Sequence, residues 1–357
     1  MAKIAILGDT HFGARNDSEV FNEYFFKFYE NVFFPYCVEN GISRIIQTGD
    51  FMDRRKSVNF KILHETNRRF MDKLAELIPD IKIDMIPGNH DIYYRYTNEI
   101  NSLKELFSWR DFVVVHDEQP TTIEIDGLKI DMIPWINKYN FKNTLEFIEN
   151  SMSDVCVGHF EIVGFDMQAG IPGHGGLDRK IFSHYDLVLS GHYHTKSEKG
   201  NIRYVGTPYE ITWSDYDDPK GFHVLDTESR ELEFIKNPYK MFHKAFFCSD
   251  VDYEEFDFKE LEGGIVKVIV KDRNDSKKYD WFLDKIIEAM PNDFSVVESD
   301  VVLVEGVDAE SFEALDTFTV LRNAAASVAE SESLNKKKMQ SFIQELYTEA
   351  VAQGRDQ

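Results

Sequence analysis

Residues 44–54 read RIIQTGDFMDR, and the fold can be worked out from this stretch. Residues 44–47 have β-branched side chains at their centre, and the run stops at Gly49-Asp50. A short β-branched run closed by glycine reads as a buried strand that ends in a tight corner. This corner carries two carboxylates, Asp50 and Asp53, and an arginine, Arg54. The same pattern recurs along the chain. Residues 3–7 run into Gly8-Asp9-Thr10-His11, and residues 81–86 into Gly88-Asn89-His90-Asp91. Residues 155–157 lead to Gly158-His159, and residues 187–189 to Gly191-His192-Tyr193-His194.

Helical patterns separate the early strands. Residues 18–39 read as a helix capped by Asn16, Asp17 or Ser18, and residues 59–77 as a second, with Ile62, Leu63, Phe70, Leu74 and Leu77 apolar. Alternating strands and helices predict a parallel sheet, which residues 113–115 extend. A hairpin follows, 122–125 and 128–133 around Asp126-Gly127. Further short strands at 155–157, 187–189, 202–205, 222–225 and 231–235 predict a two-sheet α/β body reaching about residue 245.

The corners hold the chemistry. Ligands collect at the C-terminal edge of an α/β sheet. Carboxylate, amide oxygen and imidazole together suit a mid-row divalent ion such as Mn²⁺ or Fe²⁺. There are more candidate ligands than one ion with an open position can take. Two ions about 3.5–4 Å apart that share a carboxylate would use them, and such a pair activates water and clamps a phosphoryl group. A single Gly-Asp corner would read as a turn and cap, and a lone histidine as structural; five corners in order favour a site.

Composition sets the boundaries. The 357 residues carry 40 basic and 63 acidic side chains, a net charge of −23, which argues against a passive DNA-coating protein. The excess is uneven: residues 250–357 hold 25 acidic and 12 basic residues. No apolar run is long enough for a membrane span, and MAKIAILGD at the start reads as a strand rather than a secretion signal. Three scattered cysteines point to a reducing compartment and exclude a disulfide scaffold.

The ordered corners resemble the calcineurin-like metallophosphoesterase superfamily. Within it the chain is similar to the Mre-eleven/SbcD DNA-repair nuclease family, its phage members in particular. The stretches that carry this are GDTHFG (8–13), GDFMDR (49–54), IPGNHD (86–91), CVGHFE (156–161), SGHYHT (190–195), YVGTP (204–208) and DPKGF (218–222). The resemblance implies a four-layer α/β/β/α sandwich, a small α+β capping domain and C-terminal helices. It implies that Asp9, His11, Asp50 and His194 bind one metal and Asp50, Asn89, His159 and His192 the other, with Asp50 bridging. His90 would face the phosphate and Asp53 would orient His90, while Arg54 is a candidate phosphate or DNA contact. Archaeal and eukaryotic members usually carry His where this chain has Asp53; bacterial and phage members commonly carry Asp.

The family further implies Mn²⁺-dependent exonuclease and endonuclease action on double-stranded DNA ends in break repair and recombination. It implies a homodimer, a Rad-fifty/SbcC-type ATPase partner and a cytoplasmic location, in the host if phage-encoded, away from any membrane. Two other readings compete. One is a metallophosphatase or cyclic-nucleotide phosphodiesterase on the same site, although phosphoprotein phosphatases typically have Glu where this chain has Asp91. The other is a DNA-end tether with a vestigial site, which the filled ligand positions oppose.

The expected domains are 1–245 for the nuclease, 246–306 for the cap and 307–357 for ATPase-binding helices. In the cap, 264–270 and 294–304 read as strands and 278–290 as a helix. Beyond it lie helices at 309–329 and 338–351, the latter with Met339, Phe342, Ile343, Leu346 and Tyr347 on one face. In the first helix Phe21, Tyr24, Phe25, Phe28, Phe33 and Phe34 exceed what one helix face needs, and the homodimer interface is expected there. Tyr93, Tyr94, Arg95 and Tyr96 either contact nucleic acid or pack in a loop. His174, in a glycine-rich loop, is a lesser candidate for DNA contact; His64, His116, His184, His223 and His243 read as structural or surface.

Overall fold

The computed structural model describes residues 2–168, 171–172 and 175–298. His174, the end of the strand expected at 294–304 and both expected C-terminal helices lie outside the described residues. The chain divides into two compact units, Met1–Met241 and Phe242–Gln357.

The first unit begins with β1 (Lys3–Leu7), β2 (Arg44–Gln47), β3 (Lys82–Met85) and β4 (Val113–Val115), all parallel. It continues with β5 (Thr121–Ile125), β6 (Leu128–Ile133), β7 (Val155–His159) and a small hairpin of β8 (Asp166–Gln168) and β9 (Ile171–Pro172). Then come β10 (Leu187–Gly191), β11 (Ser197–Lys199), β12 (Ile202–Tyr204), β13 (Gly221–Asp226) and β14 (Leu232–Lys236). One six-stranded sheet has the order β14-β13-β1-β2-β3-β4 and the other β11-β12-β10-β7-β6-β5.

Alternation along the strands explains the layering. Ile4, Ile6 and Ile46 of the first sheet meet Ile130, Met132, Val155, Val157 and Leu189 of the second in one buried cluster. On the outer face of the second sheet, Cys156, Val188 and Tyr204 pack with Ile148 of the helix Phe141–Asn150. Over the first sheet lie two long helical runs. One joins Glu19–Phe28, a π-helical turn Tyr29–Phe33, and Phe34–Glu39; the other joins Phe60–Glu65, a second π turn Thr66–Asp72, and Lys73–Leu77. The result is the expected α/β/β/α sandwich.

The aromatic surplus of the first helix is absorbed inside the monomer. Phe21, Tyr24, Phe25, Phe28, Phe33 and Phe34 are all buried. Phe25 stacks on Tyr209 at 3.8 Å, and Phe28 and Phe33 meet Phe222 of β13 edge-on. This corrects the expectation that these rings form a dimer face: the residues around Tyr209 and Phe222 wrap the helix from a second side.

The second unit has β15 (Phe242–Phe247), β16 (Ile265–Val270) and β17 (Asp293–Glu298), all parallel. The helix Ser276–Glu288 packs Phe282 and Ile286 against Phe247 and Val268. Residues 242–247, which the expected boundary between 245 and 246 would divide, form the first strand of this sheet. Among the described residues, no helix is long and apolar enough to cross a membrane.

Phe70 touches Phe12, Tyr29 and Phe51, and of these Phe12 and Phe51 adjoin His11 and Asp50 in the chain. Phe70→Ala is expected to lower stability by about 3–5 kcal/mol, the usual cost of deleting a buried ring, read as a lower denaturation midpoint of the first unit.

Candidate metal centre

Strand register aligns the corners. Leu7 of β1 lies opposite Gln47 of β2, and Gln47 opposite Met85 of β3, so the corners bearing Asp9, Asp50 and Asn89 leave the sheet side by side. In the second sheet Gly191 pairs with His159, which sets His192 next to that histidine.

Three groups of ligand atoms result: Asp9, His11 and His194; Asp50, His159 and His192; and His11, Asp53 and His90. Within each group the atoms lie within 4.8 Å of one another. Asp50 Oδ2 is 3.3 Å from His159 Nε2 and 3.8 Å from His11 Nε2. Asn89 Oδ1 is 2.9 Å from His192 Nδ1 and 3.1 Å from His159 Nε2. All seven expected ligands therefore gather at one edge of the sandwich.

The local backbone is strained to achieve this. His11, Asp50 and His192 have φ of 45°, 53° and 88°, the left-handed region that costs non-glycine residues about 1–3 kcal/mol. The amides of Thr10 and His11 both donate to the Asp50 carbonyl, at 3.1 and 3.0 Å, locking the first two corners together. Glycine is required where they touch: at Gly49, with φ of 100°, a Cβ would lie 2.4 Å from His159 Nδ1. At Gly191 it would lie 2.5 Å from Asp9 Oδ1.

Several supporting residues were not identified from sequence. Buried Asp91 accepts from the amides of Phe51, Met52 and Gly88 and from the Ser102 hydroxyl, fastening the second corner to the third. The Thr48 carbonyl lies 2.8 Å from His159 Nδ1, which leaves Nε2 facing Asp50. Buried Lys220 donates to the His194 carbonyl at 2.9 Å and to Asp215 and Asp218 at 2.8 Å, supporting the last corner from behind. Lys220 and Asp218 lie within the DPKGF stretch; nothing local marks Asp91 or Thr48 as braces.

Two expectations change in detail. His90 Nδ1 lies 2.6 Å from the main-chain carbonyl of Asp53, while the Asp53 carboxylate faces His11 Nδ1 at 3.3 Å. Asp53 thus orients His90 through its carbonyl, while its carboxylate, within 4.8 Å of a His90 ring nitrogen, is taken by His11. Arg54 donates to Asn16 Oδ1 at 2.6 Å and pairs with Asp17 at 3.1 Å, so it braces the turn at residues 13–17. His116, by contrast, is buried against Asp84 at 2.9 Å, the structural role expected of it.

The residues fit divalent cations. Both ring nitrogens of His11 are buried without a hydrogen bond, and the Asp53 contact is an ion-pair approach rather than an aligned bond. Burial pushes Asp9 up to about 7, with the nearby Asp50 carboxylate adding to the effect against the histidines. Burial also works to raise Asp50, but His159 and His11 hold it well below the usual carboxylate range. For His11 and His159, burial opposes the charged form; Asp53 and Asp50 for the first, Asp50 and Asp9 for the second, outweigh it and push both up to about 9. Burial and the charge of His11 push His194 down to about 3, and burial lowers His192.

The sequence profile of the calcineurin-like phosphoesterases matches residues 2–196. The chain belongs to that family. It is 33% identical over 355 residues to exonuclease subunit 1 of Enterobacteria phage T4, covering 98% of this chain and 99% of that protein. It is 24% identical over 181 residues to the SbcD component of the nuclease SbcCD of Staphylococcus epidermidis, covering 43% of this chain and 47% of that protein. A solved structure described as a novel archaeal phosphodiesterase covers 66% of this chain and 99% of its own, at 15% identity and a TM-score of 0.32.

The electrostatics of this phosphoesterase make a prediction. A metal must displace protons from His11 and His159, whose affinity for protons is raised to about 9. Loading Mn²⁺ at pH 7 should release protons, and affinity should climb as pH rises to about 9, by about tenfold per unit for each proton displaced. Calorimetry in buffers of different ionisation enthalpy measures both. Metal binding with no proton release would remove these histidines from the ligand set.

Proposed function

We propose that this phosphoesterase is a nuclease subunit that hydrolyses phosphodiester bonds at double-stranded DNA ends, as exonuclease and endonuclease, with two divalent ions, Mn²⁺ by preference. The position of Asp50 carries the reading: one carboxylate faces both His11 and His159, as two ions sharing a ligand require. Asp9, His11, Asp50 and His194 would hold one ion, and Asp50, Asn89, His159 and His192 the other. When bound, such a pair lowers the pKa of a water and neutralises phosphate charge.

The chain's own groups do the rest. With Nδ1 held by the Asp53 carbonyl, His90 keeps Nε2 to stabilise the phosphate or to pass a proton to the leaving oxygen. The His90 amide donates to Asp50 Oδ1 at 2.7 Å, so the proton-transfer group and the shared carboxylate move as one piece.

Full-length similarity to a protein named an exonuclease subunit supports DNA as substrate and a partner subunit. Similarity to a component of SbcCD supports a Rad-fifty/SbcC-type ATPase as that partner, in an ATP-regulated break-repair and recombination complex. In this reading the unit beginning at Phe242 caps the DNA, and residues 307–357 bind the ATPase. The working form is a homodimer that uses surfaces other than the buried helix aromatics. It acts in the cytoplasm, the host's if phage-encoded.

The test offers linear duplex DNA, closed circular DNA, a phosphopeptide and cyclic AMP, each with Mn²⁺. Cleavage of linear DNA above the rest is expected; turnover of only the small esters would make this a phosphatase or cyclic-nucleotide enzyme. Asp50→Asn should abolish cleavage with the fold intact. His90→Ala should still bind two ions yet lose about 10²–10⁴-fold in rate. Calorimetry showing only one ion bound by His90→Ala would make that histidine a ligand.

A further inference from the structure

Residues 92–101 leave the His90 corner and return to it. The bridge between Ile92 and Asn101 closes the loop, and Ser102 binds Asp91 through its amide at 2.8 Å and its hydroxyl at 2.9 Å. Asn98 ties the loop sideways, donating to the Trp135 carbonyl at 2.9 Å and accepting from Asn137 at 3.0 Å. A segment anchored so firmly has no need of exposed rings to fold. Yet Tyr93, Tyr94 and Tyr96 are 38%, 41% and 48% exposed, and Tyr139 on the neighbouring loop is 72% exposed.

The four rings form a continuous ladder. Tyr93 meets Tyr94 at 4.8 Å, Tyr94 stacks on Tyr96 at 5.5 Å and 21°, and Tyr96 meets Tyr139 at 5.7 Å. Two arginines accompany it. Arg95 is exposed and makes no ion pair among the described residues. Arg55 is half-buried, with its Nη1 fully buried and without a partner. Arg95 stands between two rungs of the ladder in the chain, and Arg55 lies two residues past Asp53, whose carbonyl holds His90 at the corner from which the loop departs. Burial and the charge of Arg95 disfavour the Arg55 guanidinium, and Asp50 favours it. Neither guanidinium has an ion-pair partner among the described residues, which leaves both open to an anion.

We propose that Tyr93, Tyr94, Tyr96 and Tyr139, with Arg55 and Arg95, form a platform for a single-stranded stretch of nucleic acid, bases on the tyrosine rings and phosphates at the arginines, leading to the metal centre. The proposal rests on the nuclease reading and adds to it the form of the substrate strand. Ring faces bind any base, whereas a paired duplex keeps its bases stacked internally and cannot use them. The occupant is an unpaired strand, as at a frayed or resected end.

The test measures anisotropy of a fluorescein-labelled oligothymidylate and of a blunt duplex of the same length, on the full chain. Tyr94→Ala with Tyr96→Ala should weaken oligothymidylate binding by about tenfold or more per stacked base lost and leave duplex binding much less affected. Tyr94→Phe with Tyr96→Phe should bind normally, because stacking needs the ring and not the hydroxyl. Arg95→Ala should weaken binding and reduce the salt slope by about 0.7. Unchanged binding in the alanine variants, equal loss in the phenylalanine variants, or equal loss on duplex would overturn the platform. Hydrolysis of bis(p-nitrophenyl) phosphate by the unsubstituted protein with Mn²⁺ is read in parallel. If it is absent while the binding pattern holds, the failure belongs to the nuclease reading and the platform stands.

Discussion

Asp9 and Asp50 are buried carboxylates close enough for each to disfavour the other's charge. Holding charge out of water costs several kcal/mol per ion even after the protein relaxes. Part of that cost is offset by amides: His192 donates to Asp9 at 2.9 Å and His90 to Asp50 at 2.7 Å. The remainder falls to His11 and His159, whose hold on a proton these carboxylates strengthen. The same geometry that suits imidazolium partners suits divalent cations, so the site is built around negative charge that needs a counterion.

That need accounts for much of the surrounding architecture. Aiming side chains from separate strands at one point requires left-handed turns at His11, Asp50 and His192. Such turns persist only where neighbours over-determine them. Asp91 fastens the second and third corners, the Asp50 carbonyl fastens the first to the second, and Lys220 supports the last. Behind these contacts, Phe51 and Phe12 are packed into the aromatic layer between the first sheet and its helices. The site's rigidity is thus continuous with the hydrophobic core.

Net charge takes on a different meaning in this light. A value of −23 is awkward for the proposed action on a polyanion. The charge is locally mixed: Arg55, just past Asp50 and Asp53 in the chain, and Arg95, in the loop that leaves the His90 corner, make no ion pair among the described residues. Local potential, not the chain's total, governs encounter with a phosphate backbone.

Much of this was legible in the sequence because the information is local. A β-branched run ending in Gly-Asp or Gly-His announces a strand and its corner, so the two-sheet body and the side chains gathered at its edge followed from order and spacing. What a residue faces depends on parts of the chain far away, and there the sequence was silent. It could not show that Tyr209 and Phe222 cover the first helix, which turned an apparent dimer face into core. Nor could it show that the backbone at Asp53 presents its carbonyl to His90 and its carboxylate to His11, or that Arg54 would be taken by Asn16 and Asp17. The sequence by itself determined which chemical groups stand at the strand ends. Tertiary structure decided which group touches which, because a hydrogen bond or ion pair is set by distances of a few tenths of an ångström that only the packed chain defines.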